Sequence, residues 1–141
     1  MTMKVPFKTD PDCIYCKIIA REAPCHKIYE DESVVSFLSI DPMTDGHTLV
    51  VPKEHWSKVW KIENEETYQN LMSTTKKIAS ALDTTFTPLH VLELAEGIEI
   101  QHAHMHIIPS DLGYGELAAK HKTKEPDHSQ LAKRAEQIRG N

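Results

Sequence analysis

The sequence predicts an α+β fold: an antiparallel sheet of about five strands, one long helix, and short helices near both ends. Three observations lead there. Short segments of alternating or β-branched apolar residues follow one another through short connections, which favours antiparallel neighbours. One segment, from about Glu65 to Leu82, carries an apolar stripe of helical period. The chain has 141 residues, 40% apolar and 26% charged, which suits one ordinary globular domain.

Residues 1–11 read as a polar arm. From Cys13 to Arg21, Ile14, Ile18 and Ile19 stand at helical spacing, so a short helix is expected, ending before Pro24. His26–Glu30 and Ser33–Ile40 read as strands joined by a tight acidic turn, Glu30-Asp31-Glu32. Pro42 to Gly46 is a loop. His47–Val51 reads as a central strand stopped at Pro52. In the long helix, Tyr68, Leu71, Met72, Ile78, Ala79 and Leu82 form the stripe, Asn64 is the expected N-cap, and Glu65 and Glu66 suit the positive helix end. Leu89–Leu94 and Gln101–Ile108 read as two further strands with a turn at Glu96-Gly97. Leu112 to Glu125 reads as irregular. From Asp127 onward, Leu131, Ala135 and Ile138 share one side of a short helix, and Asp127 with Gln130 looks like a capping box.

The net charge is -5 with both signs interleaved, which argues against a surface that coats a nucleic-acid polymer but not against a small nucleotide. No apolar run approaches a membrane span, and the N-terminus lacks an apolar secretory region, so a cytoplasmic location is the expectation. Three cysteines, Cys13, Cys16 and Cys25, do not make a disulfide framework. Metal binding or redox use of Cys13 and Cys16 is the better reading.

Chemistry concentrates in His102-Ala103-His104-Met105-His106. At strand period, the three histidines line one face while Ala103, Met105 and Ile107 line the other. Packing would explain one such histidine. Three at strict period two point either to joint metal chelation or to a nucleophile or base oriented by its neighbours. Cys13-x-x-Cys16 alone is a weak signal, and a tetrahedral zinc would need two more ligands. His55 and one member of the histidine row could supply them. Asp45-Gly46-His47 places His47 at the mouth of a strand, on the rim of a pocket.

Cys-x-x-Cys, then Gly-His-x-Leu-Val-x-Pro-Lys-x-His, then His-x-His-x-His resembles the histidine triad (HIT) family over roughly residues 12–110. Asp12-Cys13-Ile14-Tyr15-Cys16-Lys17 and Lys27-Ile28-Tyr29-Glu30-Asp31 are similar to its N-terminal region. The resemblance divides the chain into an arm (1–11), the HIT domain (12–110) and a C-terminal extension with a short helix (111–141). It implies a hydrolase or nucleotidyl transferase in which His104 attacks the α-phosphorus of a nucleotide conjugate, forming a nucleotidyl-histidine that water then hydrolyses. It also implies that His47 and His106 line the phosphate pocket, and that Cys13, Cys16, His55 and His102 hold a structural zinc. A homodimer is implied as well, with sheets joined and long helices packed.

The chain departs from the family pattern near the substrate. Ser39 stands where many members carry a ribose-binding acid, and Asp41, two residues on, would share its face in an extended segment. Ile98 and Glu99 replace a glutamine and a hydroxyl that contact phosphate. The leaving group, whether amine, phosphate or second nucleotide, stays open. So does the alternative of a nucleotide-binding or scaffold protein with little catalysis, and that of a metal shared by His102, His104 and His106.

Overall fold

A computed structural model describes residues 7–141; the first six residues of the expected arm lie outside it. Five strands form one antiparallel sheet: β1 (Lys27–Glu30), β2 (Val34–Leu38), β3 (Thr48–Pro52), β4 (His90–Leu94) and β5 (Met105–Ser110), in the order β1-β2-β3-β5-β4. Four helices accompany them: α1 (Ile14–Ile19), α2 (Glu65–Phe86), α3 (Tyr114–Lys120) and α4 (His128–Arg139), with a 3-10 turn at Val59–Lys61.

Strands β2 and β3 are buried at every position because both sheet faces are covered. The strand period divides their side chains. Val34, Leu38 and Val50 pack with Leu71, Ile78 and Leu82 of α2 and with Leu131, Ala135 and Ile138 of α4. Val35, Phe37, Leu49 and Val51 point the other way, onto Tyr15 and Ile19 of α1. Full burial of each large aliphatic side chain contributes about 2 kcal/mol. His106 lies opposite Leu49 and shares its face, so the histidine end of β5 opens on the α1 side.

Local chemistry explains most boundaries. The Asn64 side chain accepts from the Glu66 and Thr67 backbone N–H groups and starts α2. The buried stripe of α2 is Thr67, Leu71, Thr74, Thr75, Ile78 and Leu82, whereas Tyr68 is exposed. Threonine can serve in that stripe because, at Thr75, the hydroxyl donates to the Leu71 carbonyl. Helix α2 runs to Phe86, four residues past the expected end, and stops at left-handed Thr87. Asp31 closes the β1–β2 turn by accepting from the N–H groups of Ser33 and Val34. Asp127 caps α4 by accepting from the Gln130 N–H.

Two expectations need correction. Strand β5 begins at Met105, not Gln101, and runs through Pro109 to Ser110. Its ladder with β3 ends at the Val50–Met105 pair, and Pro52 further along has no N–H to extend it. His102 to His104 are held instead by the loop after β3, with the Ala103 N–H donating to the Trp56 carbonyl. The segment 112–125 is not wholly irregular: it contains α3. That helix buries only Leu117 and carries a Glu116–Lys120 pair, so no apolar stripe announces it.

Candidate active site and metal centre

Two constellations sit back to back along the histidine row. The first is built by α1, the loop after β3, and His102. Cys13 is the N-cap of α1 and accepts from the Cys16 N–H through its sulfur. That turn brings both sulfurs to the sheet end. Donor atoms of Cys13, Cys16, His55 and His102 all lie within 4.8 Å of one another. His102 Nδ1 is 3.3 Å from Cys13 Sγ and 3.5 Å from Cys16 Sγ; His55 Nδ1 is 3.3 Å from Cys16 Sγ and 3.0 Å from His102 Nδ1.

Tetrahedral zinc would set these separations at about 3.4 Å between nitrogens and about 3.8 Å between sulfurs. The donor set therefore fits a metal with modest adjustment of the four side chains. The surroundings fit as well. His102 Nε2–H donates to the Pro52 carbonyl at 2.8 Å, which leaves Nδ1 with its lone pair toward the sulfurs. Burial, helped by the neighbouring Cys16 sulfur, pushes the Cys13 thiol up to about 11, a cost that a bound cation would reverse. The backbone at the end of the expected arm is tied to this cluster: the His55 N–H donates to the Lys8 carbonyl, and the Asp10 N–H to Cys16 Sγ.

The second constellation contains His47, His104 and His106. Gly46 opens β3 at φ +94, and a Cβ there would lie 2.6 Å from the Phe86 ring, so only glycine admits the chain on this path to His47. The Met43 N–H donates to His47 Nδ1 at 3.0 Å, which puts the proton of neutral His47 on Nε2. That N–H donates to His106 Nδ1 at 2.9 Å, and so His106 carries its own proton on Nε2, 3.2 Å from His104 Nε2. His104 Nδ1–H in turn donates to the His102 carbonyl at 2.6 Å. Each tautomer follows from the one before it. The chain ends on a bare lone pair at His104 Nε2, the electronic condition of a nucleophile.

Burial keeps these rings neutral. It holds His47 down at about 3, helped by neighbouring His106, and His106 down at about 4, helped by His104. Burial also lowers His104, opposed by its bond to the His102 carbonyl and by the Glu96 charge. A depressed histidine pKa stabilises the fold above the unfolded value near 6.5 and loses that contribution as pH falls toward 4. The midpoint of urea unfolding is therefore expected to hold from pH 8 to 7 and to fall steadily from pH 6.5 to 4.5. In a His47→Gln variant, which has one fewer titrating ring, the fall should be shallower.

The remaining expected site residues are more scattered. Ser39 is buried, and its hydroxyl oxygen accepts from the Asp41 N–H at 3.1 Å. The chain bends at Ile40–Asp41, so Asp41 does not extend along Ser39's face. Its carboxylate lies 3.2 Å from His121 Nε2 and accepts from Thr123 Oγ1 at 3.1 Å. Glu99 and Ile98 are exposed on the loop before His102.

Two residues missed in the sequence belong to this site. Tyr15 is buried, edge-on to His104 at 5.3 Å and to His102 at 5.9 Å between ring centroids. Its place between Cys13 and Cys16 was the available signal: whatever docks that pair on His102 also docks Tyr15. Glu96, expected only as part of a turn, puts Oε1 3.9 Å from His106 Nε2. Away from this site, His26, just before β1, and His128, at the start of α4, pair with each other at 2.8 Å.

Comparison with known proteins bears on the fold and the family. The family described as the HIT domain matches residues 20–112. An adenosine 5′-monophosphoramidase of Saccharomyces cerevisiae is 33% identical over 132 residues, 93% of this chain and 83% of the yeast protein. The crystal structure of a hypothetical histidine triad nucleotide-binding protein from Sulfolobus tokodaii superposes with a TM-score of 0.79 at 29% identity, covering 91% of this chain and 90% of the other. A zinc-bound histidine triad family protein from Mycobacterium smegmatis gives a TM-score of 0.72 at 26% identity over 92% of this chain and 91% of its own. Fold, motif order and family match coincide, and the chain belongs to the histidine triad (HIT) family.

Proposed function

We propose that the protein is a nucleotide phosphoramidase-type hydrolase that works through a nucleotidyl-histidine intermediate on His104. The observation that carries this reading is the tautomer chain Met43–His47–His106–His104, which leaves His104 Nε2 unprotonated beside the His106 Nε2–H. The yeast relative named for adenosine 5′-monophosphoramidase activity supports the same substrate class.

In the first step His104 Nε2 forms a bond to the α-phosphorus and the bond to the leaving group breaks. The departing atom takes a proton from His106, which binds the extra proton when the anionic phosphate lies beside it. In the second step water attacks phosphorus, its proton returns to His106, and the bond to His104 breaks. The His104 Nδ1–H remains on the His102 carbonyl throughout and steadies the positive charge of the phosphorylated ring. Ser39, Asp41 and Glu99 are the proposed substrate contacts, of which the Asp41 carboxylate is already engaged by His121 and Thr123. Zinc bound by Cys13, Cys16, His55 and His102 would supply structure, tying α1 to the segment that bears His104.

A homodimer fits the sheet order, because β4 is an edge strand with an exposed side and Tyr68 of α2 is exposed. No helix among the described residues is long and apolar enough to cross a membrane.

A panel of nucleotide conjugates tests the reading. Adenosine 5′-phosphoramidate should yield AMP and free amine with catalytic turnover. Tight calorimetric binding without product release would instead favour a nucleotide-binding or scaffold role, which Ile98 and Glu99 motivate.

A further inference from the structure

Between β4 and the histidine row the chain runs Ala95-Glu96-Gly97-Ile98-Glu99, with two carboxylates in four residues. We infer that Glu96 and Glu99 form an anionic wall beside the triad that selects conjugates whose leaving group carries a positive charge and disfavours anionic ones such as a phosphate or a second nucleotide. This selection rests on the nucleotidyl-transfer reading given above.

Geometry sets the range of the effect. Glu96 Oε1 is 3.9 Å from His106 Nε2. A leaving atom that takes its proton from His106 must come within about 3 Å of that nitrogen, so it lies no more than roughly 7 Å from the Glu96 carboxylate. The loop is seated: a Cβ on Gly97 would stand 3.0 Å from the Trp60 ring, and Lys58 Nζ donates to the Gly97 carbonyl at 3.1 Å and to Gln101 Oε1 at 2.6 Å. Lys58 is thus spent on the loop's own backbone and on Gln101. Among the described residues, no lysine or arginine forms an ion pair with Glu96 or Glu99.

Glu96 reaches the triad directly through His106, and Glu99 adds an exposed carboxylate three residues along the same loop. Among the described residues, Glu96 is the carboxylate within 4 Å of His106, so the wall sets the fixed negative charge on that side of the reacting phosphorus. An anionic leaving group is repelled there, and an ammonium on the leaving group is attracted.

Three adenosine 5′-phosphoramidates of equal chain length test this, their amines ending in an ammonium, a methyl or a carboxylate. At low salt kcat/KM should fall from ammonium to methyl to carboxylate, about tenfold per charge step, and the spread should shrink as salt is added. In the Glu96→Gln/Glu99→Gln double variant the three values should draw together to within about threefold. The ratio is the readout, so a loss common to all three substrates does not imitate the effect. An unchanged order in the double variant, or an equal loss on all three, would overturn the selection; the equal loss would mark Glu96 as a positioning residue for His106. If the wild-type protein turned over none of the three, the nucleotidyl-transfer reading would fail and the selection with it.

Discussion

Replacing His104 with alanine is expected to lower turnover of a nucleotide phosphoramidate by roughly 10³-fold or more while leaving the fold and the metal content unchanged. The size follows from what is lost. The sequence of hydrogen bonds that begins at the Met43 N–H leaves His104 Nε2 unprotonated. No neighbour can take over, because His106 Nε2 carries a proton and His102 is turned away, its Nδ1 toward the two sulfurs and its Nε2 on Pro52. The deletion leaves a gap beside the Tyr15 ring rather than an unpaired charge, so the melting temperature should move by only a few degrees. Turnover of His104→Ala near the wild-type rate, with a native circular-dichroism spectrum, would remove the nucleophile assignment.

Cys16→Ser is expected to have the largest effect on stability. Cys16 is buried and its sulfur approaches both His55 and His102, so it lies at the centre of the donor cluster. A metal present at about 10³ times its dissociation constant stabilises a folded domain by about 4 kcal/mol, which for a chain of this size is on the order of 8–16 °C. Metal analysis should find about one zinc per wild-type chain and little in the variant. A strong chelator should lower the wild-type melting temperature toward that of the variant and leave the variant unmoved. Zinc retained in both Cys13→Ser and Cys16→Ser would instead point to the three-histidine site. The hydrogen bonds of His102 argue against that site, since neither of its ring nitrogens faces the gap between His104 and His106.

The sheet was legible in the sequence because its strands are short apolar runs bounded by turn residues, and the long helix because its apolar stripe and Asn64 cap are local signals. The candidate site was legible because histidine and cysteine at fixed spacing have few structural uses. What escaped detection depends on contacts between distant segments. Tyr15 earns its place only through docking of α1, Glu96 only through the path of the loop over Trp60, and the start of β5 only through the missing N–H of Pro52. Helix α3 buries a single side chain, so no periodicity could reveal it. Asp41 shows the limit of reasoning from strand period: one bend in the backbone turns its carboxylate to His121 and Thr123.

The central claim is covalent transfer to His104, and intact-mass spectrometry tests it most directly. The protein is mixed with a stoichiometric amount of adenosine 5′-phosphoramidate, quenched within seconds without acid, and weighed, with the modified residue located by fragmentation. The account predicts a transient adenylyl adduct on His104 that decays as AMP appears, and no adduct in His104→Ala. An adduct on any other residue, or steady AMP release through a His104→Ala chain that never gains mass, would contradict it.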